Sequence, residues 1–117
     1  MIPSVDQIRE STKVNYVRMV EEAKDSLIRT WASDIQLAVS KYAQNYIKIT
    51  PREYTLSMPS FNVGVEATMR ASRAYYDAGY AVVIRYFDRK NNCPDEIRIS
   101  WPEVMPEEPY KVVYGVA

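Results

Sequence analysis

The sequence predicts a single domain of the α+β class, with elements in the order α-β-α-β-β and an optional last strand. Residues 4–49 contain no Gly or Pro and carry apolar side chains at helical spacing. Residues 63–78 form a second helical segment, which ends before Gly79. The segments 80–87 and 96–101 are rich in β-branched and aromatic residues, which favour strands. We therefore expect a long helix, a second helix and a small antiparallel sheet of three or four strands.

The first helix is predicted to begin at Ser4. Ser4 and Gln7 have the spacing of a capping box, in which each side chain accepts a hydrogen bond from the backbone N–H of the other residue. Pro51 disfavours helical geometry at the residue before it, so the helix should end near Ile49. One apolar stripe runs along it: Val17, Val20, Leu27, Trp31, Ile35, Ala38, Tyr42, Tyr46 and Ile49.

The length of this helix leaves two alternatives. A continuous helix of about 45 residues would be roughly 68 Å long, much longer than the body of a domain of this size. A partner subunit would then have to cover the overhanging part. Alternatively the chain turns near Ser33, because Ser33 and Gln36 repeat the capping-box spacing and could start a second helix that folds back. Trp31, which lies in the stripe beside that point, favours the continuous helix.

Residues 52–101 are predicted to form a β-α-β-β unit. Its first strand is short, because Tyr54, Leu56 and Met58 alternate with polar residues for only a few positions. Asn62 can cap the helix that follows. The residues of this helix that we expect to face the core are Val65, Met69, Ser72 and Tyr76.

A hairpin completes the unit. Residues 80–87 are partly apolar on both faces, which is typical of a central strand, and 96–101 alternate strictly between apolar and polar residues. The connecting loop, 88–95, consists mostly of turn-forming and charged residues. Residues 102–117 form a Pro-rich acidic tail, in which residues 110–114 could add an edge strand.

Composition argues against several classes of function. Fifteen basic residues balance fifteen acidic ones, so no net field attracts polyanions. The chain has no His, the commonest general base and transition-metal ligand. Cys93 is the only cysteine, which excludes an internal disulfide and favours a reducing compartment. Since no apolar run is long enough to cross a bilayer, the sequence predicts a cytoplasmic protein without a membrane partner.

Few residues could support catalysis or bind a metal ion. A Cys93 nucleophile would need a base, for which Lys90 and Asp95 are the nearby residues. Asp88, Asp95 and Glu96 could form a carboxylate pair or hold a hard cation, but carboxylates in a hairpin loop are ordinarily solvated turn residues. The three glycines are isolated, so no phosphate-binding loop is present. The sequence predicts a non-enzymatic protein with no catalytic residue, cofactor or metal.

Nucleic-acid binding is one alternative. A helix followed by a hairpin with a basic tip, over residues 63–101, resembles the second half of a winged helix-turn-helix, although a strand replaces the short helix that should come before. The resemblance implies that Arg70 and Arg73 lie on the helix that enters a groove, and that Arg89 and Lys90 contact phosphate. The opposing interpretation is that both helical arginines form ordinary surface ion pairs with carboxylates four residues away.

Protein–protein contact is the leading prediction. The chain has ten tyrosines, which are enriched at interfaces and are too many for a small core. Together with the overhanging helix, they predict a protein that self-associates through its first helix and binds another protein. The candidate contact residues are Trp31, Tyr42, Tyr46, Arg70, Arg73, Tyr75, Arg89 and Lys90. Capture of a small ligand between subunits is a further alternative.

Two stretches carry a resemblance to known proteins. The sequences "DAGYAVVIRYF" and "EIRISWPE" look like parts of small accessory proteins of tailed bacteriophages, in which a helix ends at Gly-aromatic and a hairpin closes with an Ile-x-Ile-Ser-Trp-like strand. The resemblance covers residues 70–103 and transfers no site residues. It implies a host-directed inhibitor, an adaptor or a minor virion component that acts in the host cytoplasm.

Overall fold

The computed structural model, which describes residues 1–42, 44–51, 57–58, 61–87 and 93–115, confirms the α+β class. Two helices cover one face of a four-stranded sheet with the strand order β1-β5-β4-β6, and β2 and β3 form a separate two-stranded sheet. The elements are α1 Val5–Tyr42, β1 Tyr46–Ile49, β2 Ser57–Met58, β3 Phe61–Asn62, α2 Val63–Asp77, β4 Ala81–Tyr86, β5 Glu96–Ser100 and β6 Tyr110–Tyr114.

The first helix, α1, is continuous over 38 residues. It begins with the predicted capping box, in which the Ser4 N–H donates to Gln7 Oε1 at 3.1 Å and the Gln7 N–H donates to Ser4 Oγ at 3.2 Å. Ser33 lies inside the helix, so the alternative of a turn there is wrong. At about 1.5 Å per residue α1 is roughly 57 Å long, and it sets the longest dimension of the molecule, which measures 61 × 30 × 23 Å.

The predicted end of α1 at Ile49 is wrong. The helix ends at Tyr42, and Tyr46–Ile49 form β1, in which Ile47 and Ile49 are buried. The spacing of the apolar residues in this segment is compatible with a helix as well as with a strand. Pairing with β5 decides the outcome, because it gives the backbone groups partners and buries both isoleucines against the helices.

The sheet is mixed rather than antiparallel. Strands β4 and β5 pair antiparallel, as the hairpin prediction required. β1 also pairs antiparallel with β5, whereas β6 pairs parallel with β4. The reason lies in the connection after β5, which ends at Ser100 beside Ala81, the first residue of β4. The Pro-containing segment 101–109 stays at that end of the sheet, where the Pro109 carbonyl accepts a hydrogen bond from the Val82 N–H at 2.7 Å. The predicted edge strand therefore starts beside the start of β4 and runs in the same direction.

The predicted core face of α2 is partly right, because Met69 and Tyr76 pack against the core cluster and Ser72 is buried. Among the four residues expected to face the core, only Ser72 is fully buried, while Val65, Met69 and Tyr76 are half-buried. α2 lies against α1 as well as the sheet, and small side chains allow its backbone to approach both closely. The buried residues are Val63, Gly64, Ala67, Thr68, Ala71, Ser72 and Tyr75.

The strand predicted around residues 54–58 is seen only in part. Ser57–Met58 form β2, which pairs antiparallel with β3 immediately before α2, whereas positions 54–56 lie outside the described residues. The hairpin loop is likewise described only from residue 93 onwards.

Trp31 is the largest fully buried side chain of the core, with 1% of its surface exposed. It packs against Tyr75 of α2, with 5.9 Å between the ring centroids. The Tyr75 hydroxyl donates a hydrogen bond to the Ile28 carbonyl of α1 at 2.7 Å. The two residues therefore fix where α1 crosses α2. Trp31 Nε1 has no acceptor among the described residues.

Replacing Trp31 tests this crossing. Trp31→Ala should lower the free energy of unfolding by about 3–5 kcal/mol, because it leaves a large cavity between the helices and the sheet. Trp31→Phe should cost clearly less, because it keeps an aromatic ring beside Tyr75 and removes an unsatisfied buried donor. Urea unfolding measures both. Equal losses for the two variants would contradict this account of the core.

Candidate functional site

A polar seam joins α1 to the start of α2. The Tyr16 hydroxyl donates a hydrogen bond to the Glu66 carboxylate. Arg70 lies between two carboxylates, Glu21 at 3.0 Å and Glu66 at 2.8 Å. Lys24, followed by Arg70, holds the pKa of Glu21 below its usual value. Arg70, a candidate for nucleic-acid contact, is therefore already paired with anions.

The part of α1 that precedes Tyr16 projects beyond this seam. We call residues Val5–Asn15 the arm. All of its residues are exposed except Thr12, which is half-buried. At about 1.5 Å per residue the arm is roughly 16 Å long.

Three of the arm's exposed side chains are apolar. Val5 is 63% exposed, Ile8 51% and Val14 59%. Val5 and Ile8 lie about one turn apart on one side of the helix. Val14 lies on another side, next to Val17, which is 57% exposed and is the first residue of the predicted stripe. The first buried residue of the stripe is thus Val20.

A second surface lies where α2 meets β6, and we call it the tyrosine patch: Arg73, Tyr76, Tyr86, Tyr110 and Tyr114. The Arg73 guanidinium lies over the Tyr76 ring at 4.8 Å and the Tyr110 ring at 5.3 Å from their centroids. Its Nε is 3.5 Å from Asp77 Oδ1. Arg73 thus joins α2 to β6 through cation–π contacts.

The other half of the patch is an aromatic pair. The rings of Tyr86 and Tyr114 stack with centroids 5.3 Å apart, and Tyr114 is 52% exposed. Burial raises the pKa of both Tyr86 and Tyr110 above the usual tyrosine value. Tyrosine and arginine in a half-buried cluster are the residue types enriched at protein interfaces.

The eight residues proposed from the sequence divide into several groups. Trp31 and Tyr75 belong to the core rather than the surface. Tyr46 is 38% exposed on β1, and the Arg98 guanidinium lies 4.7 Å above its ring. Arg70 and Arg73 are paired with carboxylates, and Tyr42 is the last residue of α1. Arg89 and Lys90 lie outside the described residues.

Three of the candidate catalytic and cation-binding residues lie in the described part of the chain and have structural partners, whereas Asp88 and Lys90 lie outside it. Asp95 is buried and accepts a hydrogen bond from the Phe87 N–H at 2.8 Å. Glu96 pairs with Lys48 at 2.6 Å and with Arg85 at 3.3 Å. The Cys93 thiol is half-buried, 3.6 Å from the Pro94 carbonyl oxygen. The described residues contain no group of three or more His, Cys, Asp or Glu side chains that could hold a metal ion.

One open cleft of about 370 Å³ lies between the ends of the two helices. Of the residues that line it in the described part of the chain, only Tyr80 and Trp101 carry polar side-chain atoms. Their rings meet edge to face with centroids 6.2 Å apart. The described lining of the cleft is therefore mainly apolar and contains no charged group to orient a small ligand.

No family model, curated protein or solved structure matches this chain. The resemblance to small accessory proteins of tailed bacteriophages therefore stays a prediction. Among the described helices, none is both long enough and apolar enough to cross a membrane.

Sequence reasoning missed the exposed positions Val5 and Ile8 of the arm and Val112 of β6. Val5 and Ile8 lie outside the predicted stripe, and their signal is an apolar pair on a segment that is otherwise polar. Val112 lies in a segment of high strand propensity, but only the sheet order shows that this strand is an edge.

The buried tyrosines predict a loss of stability at alkaline pH. Burial raises the pKa of Tyr75, so the folded chain holds this proton more tightly than the unfolded chain, whose tyrosines titrate near pH 10. This contribution is complete below about pH 10 and is lost as the pH rises further. Urea midpoints of the wild type and Tyr75→Phe on both sides of that pH should show a shallower alkaline decline for the variant. Identical declines would contradict the assignment.

Proposed function

We propose that this protein acts by binding other protein chains, and that copies of it self-associate through the arm. One observation carries the proposal: a continuous helix extends past its contact with α2 and presents Val5, Ile8 and Val14 to solvent at 51–63% exposure. An isolated helical segment this short is marginal in water. Neighbouring helices would both stabilise it and cover its apolar side chains.

The apolar content of the arm is sufficient for a weak or moderate contact. Complete burial of a Val or Ile side chain contributes roughly 1.5–3 kcal/mol. Since these side chains are already about half covered by their own helix, each would contribute about half of that. Three such residues from each of two chains offset a substantial part of the entropy lost on association.

The arrangement of the arm favours a bundle. Val5 and Ile8 lie on one side of the helix and Val14 on another, so one partner helix would not cover all three. The charges alternate in sign along the arm, with Asp6, Arg9, Glu10 and Lys13 all exposed, so no block of like charge repels a second copy.

The two alternatives have less support. Arg70 and Arg73 are engaged by Glu21, Glu66 and Asp77, so a nucleic acid would have to displace these carboxylates to reach them. The described lining of the cleft contains no charged group for a small ligand. Neither arrangement favours nucleic-acid binding or ligand capture over protein contact.

Truncating the arm's apolar side chains tests the proposal. The variant carries Val5→Ala, Ile8→Ala and Val14→Ala together, and Ala has a higher helix propensity than Val or Ile, so α1 should stay helical. Light scattering should show that the wild-type mass exceeds one chain of 13.6 kDa and grows with concentration. At each concentration the variant should have a lower mass than the wild type.

The matched control is a variant with Leu37→Ala and Val39→Ala. These residues lie on the part of α1 that packs on the body, and they are 47% and 52% exposed, close to the exposure of the arm residues. The control should keep the wild-type mass. A wild type that is a single chain at every concentration, or an arm variant with unchanged mass, would overturn the proposal.

A further inference from the structure

Strand β6 is an edge strand of the four-stranded sheet. It pairs with β4 on one side, and no described strand pairs with its other side. Two hydrogen bonds show which residues of β6 direct their backbone groups toward β4. The Val82 N–H donates to the Pro109 carbonyl at 2.7 Å, and the Gly115 N–H donates to the Tyr86 carbonyl at 2.7 Å. Odd-numbered residues of β6 therefore direct their backbone groups to β4, and the N–H and C=O of Val112 point away from the sheet.

This edge has only one of the usual features that prevent strand pairing, the exposed Lys111. Native edges are commonly protected by charged side chains such as Lys, by Pro, by bulges or by inward-pointing charges. β6 has the sequence Tyr-Lys-Val-Val-Tyr, with high strand propensity and a single charge. Val112 is 41% exposed on the face of the sheet that carries the helices.

We propose that β6 pairs antiparallel with β6 of a second copy of this chain, about a two-fold axis through Val112. The proposal goes beyond the arm contact and uses a different surface. The partner is a second copy because the strand is complementary to itself in this register. Val112 meets Val112, Tyr110 meets Tyr114, and Lys111 meets Val113 of the second copy.

The helix-side face of this pairing would extend the tyrosine patch. Tyr110 would come opposite Tyr114 of the second copy, and aromatic cross-strand pairs stabilise antiparallel strands. Arg73, already over the Tyr110 ring, would lie beside the new pair. The exposed halves of Val112 and Tyr114 would then be covered, and the two four-stranded sheets would form one sheet of eight strands.

The opposite face is electrostatically compatible with this register. Lys111 is exposed and Val113 half-buried on this face, and in the proposed register each lysine is opposite a valine of the second copy. No like charges face each other across the seam. Replacing Val113 with lysine would create two Lys–Lys pairs in each dimer, because the two-fold axis repeats every contact.

A pair of charge variants tests the register. Both are made in the chain that carries Val5→Ala, Ile8→Ala and Val14→Ala, so that only the β6 contact is measured. Val113→Lys should raise the dissociation constant on the order of fivefold, because two like-charge cross-strand pairs are created. Adding Lys111→Glu should reverse this loss, because each introduced lysine then faces a glutamate. The introduced lysine lies next to Arg85 of β4 in both variants, so the effect of that neighbour is largely common to both.

Sedimentation equilibrium measures the dissociation constants, and circular dichroism checks that each variant is folded. The arm variant should sediment as a dimer of 13.6 kDa chains. A single-chain mass at all concentrations, or equal effects of Val113→Lys with and without Lys111→Glu, would overturn the β6 proposal. An arm variant with the wild-type mass that still responds to the charge variants would overturn the arm proposal alone.

Discussion

The packing of Trp31 of α1 against Tyr75 of α2 determines the arrangement of the molecule. The rings lie 5.9 Å apart, and the Tyr75 hydroxyl is bonded to the Ile28 carbonyl at 2.7 Å. This contact fixes the position along α1 at which the helix crosses the body. Because α1 has 38 residues and the other two dimensions of the molecule are 30 and 23 Å, a helix fixed there must project. The arm is thus a consequence of core packing and helix length together.

The other candidate surface arises from the chain path after β5. The segment 101–109 keeps the chain at the end of the sheet where β4 begins, so β6 is added outside β4 and parallel to it. Arg73 of α2 reaches over this strand through its contact with the Tyr110 ring. The half-buried tyrosines and Val112 are therefore placed at an edge, where a second chain can reach them.

Local sequence patterns predicted the features that depend on interactions between residues close in the sequence. The capping box at Ser4 and the hairpin of β4 and β5 are present in the structure, whereas the same spacing at Ser33 starts no new helix, because α1 continues through it. The other features of the fold depend on pairing between segments that are far apart in the sequence. β1 has a sequence compatible with either period, and only its partner β5 selects the strand. The parallel direction of β6 depends on the crossing of residues 101–109, which no local pattern records.

The same distinction applies to the candidate surfaces. Aromatic composition predicted interface residues, but two of them, Trp31 and Tyr75, fill the core because α1 and α2 meet there. Val5 and Ile8 of the arm do not follow the main stripe, so periodicity alone did not identify them. Which side chains are exposed depends on how the helices and strands pack together. A sequence pattern predicts their exposure only where one face of the element is buried along its whole length.

The proposed self-association requires that α1 is one helix whose arm is protected by other chains. Amide hydrogen exchange along α1, measured on dilute and concentrated protein, is the direct test. We expect strong protection from Val20 to Ala38 at both concentrations, and protection of Ile8 to Asn15, the arm amides that have helical acceptors, only in the concentrated sample. Equal protection of both segments in the dilute sample, or rapid exchange around Ser33, would contradict it.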